Sequence, residues 1–159
     1  MPTLNENPFA VLTAVVAPAI LTNASSVLCL GTANRIARVV DRTRVVTAEL
    51  KALPAGCSEC QGLLRQMESL QVRAQLLLRA LRLFYATIGS FAAAALISVI
   101  GSALAVFEFG LAFRAAATIG LAIGAAGVIG LVSGCTIMVH ETRLAVHTLS
   151  EEAQGAPPI

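Results

Sequence analysis

The chain has 159 residues, 57% of them hydrophobic and 13% charged, with a mean hydropathy of +0.80 and a formal net charge of +2. A soluble globular domain usually carries about 25% charged residues, so a monomeric water-soluble fold is all but excluded. The length allows a single domain and excludes large channels and transporters that fold from one chain.

Charge is missing from three runs: Asn7–Asn34, Leu83–Phe107 and Ala115–Val139, of 28, 25 and 25 residues. About 20 apolar residues cross a hydrocarbon core of about 30 Å. The reading is one membrane domain over residues 1–159, an all-α integral membrane protein with three transmembrane helices.

The first helix is expected over residues 8–34, with Pro8 at its start. Its n-region is short and carries only Glu6, and its apolar stretch is too long for a signal-peptide core, so an uncleaved helix is expected. Pro18 sits inside it, where neighbouring helices must satisfy the freed carbonyl. Pro18, Thr22, Ser25, Cys29 and Thr32 step by +4, +3, +4, +3, one stripe on a helix. The same count continues onto Ile36, Val39, Thr43, Val46, Leu50 and Leu53, which are mostly apolar. Polar inside the bilayer and apolar beyond it, both halves turn one face inward. One helix reaching to about residue 53 is expected, its water-side part about 28 Å long.

Pro54-Ala55-Gly56 breaks the helix. Leu63, Met67, Leu70, Ala74, Leu77 and Leu81 then form a coiled-coil seam. Residues 35–82 read as a cytoplasmic antiparallel helical hairpin. The second span, 83–107, carries Ser90, Ala94, Ser98 and Ser102 in a row. The third, 115–139, carries Gly120, Gly124, Gly127 and Gly134 on one face and Ala126, Gly130 and Gly134 on an adjoining one, the spacing that lets membrane helices pack closely. Residues 150–159, with Pro157 and Pro158, read as a disordered tail.

Residues 35–82 hold nine basic groups against four acidic ones, while only Glu6 precedes Arg35. The positive-inside rule places this segment and the C-terminus in the cytoplasm and the N-terminus outside.

The polar stripe, with Asn23 and Ser26 beside it, has two readings. Hydroxyls at each turn line a water-filled path in an oligomer, or they join helices. Asn23 is the costliest of these groups to bury and needs a partner. Arg35, Arg38 and Arg42 suit a cytoplasmic mouth or anionic lipid headgroups. Asp41 is placed to pair with Arg38 and Arg44, which also explains part of the row. Cys57 and Cys60 form a lone CxxC without the four ligands of a zinc site. His140-Glu141 begins an HExxH pattern that fails at Leu144, and His140 and His147 read as helix-end residues. No metal or cofactor site, enzyme constellation or nucleic-acid surface is expected.

Pro18-Ala19-Ile20-Leu21-Thr22-Asn23-Ala24-Ser25-Ser26-Val27-Leu28, then Leu30-Gly31-Thr32-Ala33-Asn34-Arg35 and Ala37-Arg38-Val39-Val40-Asp41-Arg42, resemble a bacterial family of small membrane proteins, Domain of Unknown Function 2721. The resemblance implies a multi-pass protein of the bacterial inner membrane and brings no activity with it. The expected partners are membrane lipids, further copies of the chain in a closed homo-oligomer, and small ions. The leading expectation is an oligomeric ion pore lined by the first helix. The alternative is a non-conducting structural or interaction protein whose hairpin recruits a partner or senses membrane state.

Overall fold

The computed structural model describes the backbone of residues 8–54, 58–106 and 110–155, and the side chains of residues 16–54, 59–104 and 110–146. It contains three α-helices: α1 (Pro8–Ala52), α2 (Ser58–Val106) and α3 (Gly110–Gly155). At 1.5 Å per residue these helices are about 68, 74 and 69 Å long, more than twice the thickness of a hydrocarbon core. Each carries a stretch long and apolar enough to cross a membrane. The fold is all-helical, with no strand among the described residues.

α2 runs without interruption through the expected hairpin arm and the expected second span. One helix length differs from the expectation. α3 continues past Val139 to Gly155, so residues 150–155 are helical where a disordered tail is expected. No glycine or proline stands between Cys135 and Gln154 to stop it. Residues 156–159 lie outside the described residues, as do Cys57 and residues 107–109. α1 continues through Pro18 and ends at Ala52, two residues before Pro54.

The chain divides into two compact units. The first comprises residues 1–29 and 83–133. Here α2 and α3 meet along a ladder of small residues. A methyl group on Gly120 would lie 3.3 Å from Ile97 Cγ2, and one on Gly124 3.9 Å from Ala94 Cβ. At Gly127 it would lie 2.8 Å from Phe91 Cε1, and at Gly130 2.7 Å from Thr87 Oγ1. As α3 advances, its contacts retreat along α2, so these segments are antiparallel. Phe84 and Phe91 are fully buried, and the glycines make the room that the Phe91 ring fills. Ser98 and Ser102 are half-buried, and their hydroxyls donate to the carbonyls of Ala94 and Ser98.

The second unit comprises residues 30–82 and 134–159. Its core is Val39 and Val46 of α1 with Leu70 and Leu77 of α2. Ile36, Leu63, Met67, Ala74 and Met138 pack around them. Met138 belongs to α3, so this core is built by three helices where the sequence pattern suggests two.

The glycine ladder gives a graded test. Gly127→Ala and Gly130→Ala force atoms under 3.0 Å from buried side chains, at a cost of about 1–3 kcal/mol each. Gly124→Ala falls at ordinary contact distance and leaves the thermal midpoint in detergent unchanged or higher. Thr87→Ala removes the atom that opposes Gly130→Ala, so the double variant recovers stability. Equal losses at all four glycines would refute the ladder.

Candidate functional site

α3 carries Gly134, Met138, Glu141 and Ala145 at +4, +3, +4, continuing the inward row of glycines. That phase turns Glu141 inward, where it is 2% exposed. It is the one charged residue fully buried among the described residues. A buried carboxylate is costly unless it is paired and hydrogen-bonded. Two arginines meet that requirement. Arg35 of α1 donates from Nη1 to Glu141 Oε2 at 2.9 Å, and Arg73 of α2 donates from Nε to Glu141 Oε1 at 2.9 Å. Each carboxylate oxygen has its own guanidinium, and three helices are joined through one side chain.

The pairs are not sealed from water. The Arg35 and Arg73 side chains are 39% and 29% exposed. Arg35 Nη1 also donates to Thr142 Oγ1 at 2.9 Å, and that hydroxyl donates in turn to Met138 O. Above the clamp lies an open groove of about 370 Å³. Arg35, Arg38, Arg42 and Arg73 line it against a single carboxylate, Glu141. Val39, Leu70, Ala145 and Val146 form its apolar walls. Among the described residues Arg38 donates only to the backbone oxygen of Asn34, at 3.4 Å. Arg42 has no ion-pair partner among the described residues. Asp41 pairs with Arg44 at 3.7 Å on the surface and leaves Arg38 alone, so it explains less of the arginine row than its spacing suggests.

The polar stripe of α1 is placed as follows. Ser25, Cys29 and Thr32 are buried, and Pro18 and Thr22 are half-buried. Asn23 and Ser26 are exposed. Thr22, Ser25 and Ser26 donate to the carbonyls of Pro18, Leu21 and Thr22. Thr32 donates to Met138 Sδ at 3.6 Å. These hydroxyls bond within the protein, and the buried ones present no open polar wall. Of the glycines, Gly127 and Gly134 are buried, and Gly120, Gly124 and Gly130 are half-buried. His140 is exposed, Cys60 is half-buried with its thiol 3.5 Å from Pro54 O, and the His147 side chain lies outside those described.

Sequence reasoning misses Glu141 and Arg73 as a site. Charge counting makes Glu141 a tail charge and Arg73 one cation among nine. The signal that finds Glu141 is helical phase: the glycine row on α3, carried past Gly134, reaches Met138 and then Glu141.

A profile described as "Protein of unknown function (DUF2721)" matches residues 15–151. The chain belongs to this family. The match covers α2 and most of α1 and α3, and includes every residue of the arginine groove. No curated protein and no solved structure matches the chain.

Removing either side of the clamp has unequal consequences. Glu141→Gln leaves two arginines that can still reach water, and costs about 1–3 kcal/mol. Arg35→Ala with Arg73→Ala strands a buried carboxylate and costs more, about 3–5 kcal/mol. Adding Glu141→Gln to that pair restores stability, because no bare charge remains. Thermal unfolding in detergent checks this order, and simple additivity of the three substitutions would contradict it.

Proposed function

We propose that this membrane protein is a non-catalytic interaction protein whose arginine groove holds the phosphate of an acidic lipid headgroup. The carrying observation is the surplus of charge in the groove: four guanidinium groups face one carboxylate. Glu141 engages Arg35 and Arg73, which leaves Arg38 and Arg42 as the cations open to a ligand. Guanidinium presents a planar fork that matches phosphate oxygens. Arg35, Arg38 and Arg42 are the first basic residues after the uncharged run of α1, where a span ends and headgroups begin. The apolar walls formed by Val39 and Val146 suit the glycerol and upper acyl region of a lipid.

In this reading the second unit lies on the cytoplasmic side of a bacterial inner membrane and the N-terminus lies outside. The support is the count of basic residues in 35–82. The unit then reports or anchors to the acidic lipid content of the inner leaflet, as a membrane-sensing hairpin would.

An oligomeric ion pore lined by α1 is the second reading. What favours it is that α1 exposes Asn23 and Ser26, and a ring of copies could turn them to a wet axis. Against it, Ser25, Cys29 and Thr32 are buried within the protomer. Currents in planar bilayers would favour the pore.

The groove is tested with the full chain in nanodiscs of mixed phosphatidylglycerol and phosphatidylcholine, with retained lipid counted by native mass spectrometry. Arg38→Gln with Arg42→Gln lowers retention of the acidic lipid about 30-fold, taking about 1 kcal/mol per arginine. The variant keeps its thermal midpoint, since neither side chain touches Glu141. Unchanged retention overturns the proposal.

A further inference from the structure

Among its described residues, α1 places a polar group deep in the uncharged run where the protomer does not serve it. Asn23 is exposed, and its amide has no hydrogen-bond partner among the described residues. It lies 11 residues before Asn34, the end of the uncharged run, or about 16 Å along a helix. Half of a hydrocarbon core of about 30 Å is about 15 Å, so Asn23 falls near the bilayer midplane. Its side chain is too short to reach a headgroup from that depth.

The neighbours behave differently. Ser26, one turn on, donates to Thr22 O and needs nothing further. Ala19, one turn back, is exposed and small. Around this narrow strip Ile20, Val27 and Leu30 are 63%, 64% and 65% exposed. The face is therefore small along its centre, apolar on its flanks, and carries a single unsatisfied amide. Lipid suits the flanks and not the amide, because hydrocarbon offers no hydrogen bond.

We propose that this face of α1 joins a second copy of the chain, with the Asn23 amides bonding each other. A carboxamide is both donor and acceptor, so it is its own complement across a two-fold axis. Every copy carries its amide at the same depth, which an unrelated partner matches only by chance. Ala19 and Ser26, at −4 and +3, give the small surface that lets two helices approach. The contact is made on residues that the arginine groove does not use, so it stands apart from the lipid-binding reading.

The experiment uses the full chain in phosphatidylcholine vesicles, with donor- and acceptor-labelled copies diluted by added lipid. Wild type shows energy transfer that falls on dilution. Asn23→Leu weakens self-association about five- to tenfold, the worth of one interhelical polar contact. Asn23→Gln, which keeps the carboxamide, retains most of it, and Arg38→Gln with Arg42→Gln retains all of it. Asn23→Leu places a better residue in lipid, so it inserts and folds. Self-association of Asn23→Leu equal to wild type overturns the proposal, as does a monomeric wild type at every lipid ratio. A membrane-impermeant thiol reagent supplies the last arm. Asn23→Cys stays protected where water is absent, and labelling there shows a wet pore axis and overturns the proposal.

Discussion

Burial of Glu141 constrains the second unit more than any other feature. A carboxylate held away from water must be met by positive charge and hydrogen bonds, and here the two cations come from different helices. α1, α2 and α3 are thereby fixed in rotation about their own axes, because Arg35, Arg73 and Glu141 must converge. Hydrophobic contacts among Val39, Val46, Leu70 and Leu77 are non-directional and would tolerate small slips. The ion pairs would not. Their value is in register more than in net stability, since an apolar replacement of similar shape could be as stable.

That same requirement gives the groove its character. Neutralising one buried carboxylate takes one cation, yet two arginines contact it and two more line the surface nearby. Like charges side by side raise the energy of the folded state, so the surplus is a cost rather than a source of stability. The positive-inside rule would account for basic residues beside a span, and for nothing about their convergence on one groove. The proposed lipid phosphate would account for that convergence.

Much of the fold is legible in the sequence because two periodicities are strong. The lack of charge in Leu83–Phe107 and Ala115–Val139 marks spans regardless of packing. The stripes of α1 and α2 separate buried from exposed positions: Val39, Val46, Leu70 and Leu77 are all buried. The third helix of the second unit is not legible, because charge counting ends the third span at Val139 and leaves the rest as a tail. Helices do not end where apolar runs end; they end at glycine, proline or a cap. On α3 no glycine or proline follows Gly134 until Gly155. The site is hidden for the same reason. Glu141 sits two residues past the uncharged run, and its partners are 106 and 68 residues away in sequence. Composition cannot join residues so far apart, whereas helical phase shows which of them face inward.

The inner stripe of α1 changes its chemistry along one face, as a helix passing from lipid to water would require. Between Pro18 and Thr32 it is built of small and hydroxylated residues, and from Ile36 onward chiefly of aliphatic ones. Within lipid there is no hydrophobic gain in burying an aliphatic side chain, so association depends on close approach and on polar contacts. Ser25, Cys29 and Thr32 are narrow, and Ser25 satisfies its own hydroxyl on the preceding turn, so such a face costs little to bury. In water the same chemistry would give weak association, and buried aliphatic residues such as Val39 and Val46 are the kind that would supply apolar area there. A helix that keeps one phase while changing its side-chain chemistry needs no break at the boundary between the two solvents. The residue that does not fit this scheme is Asn23, polar within the lipid-facing run and turned away from the inner stripe. The protomer's own packing does not require it there, and the proposed contact with a second copy is what would give it a partner.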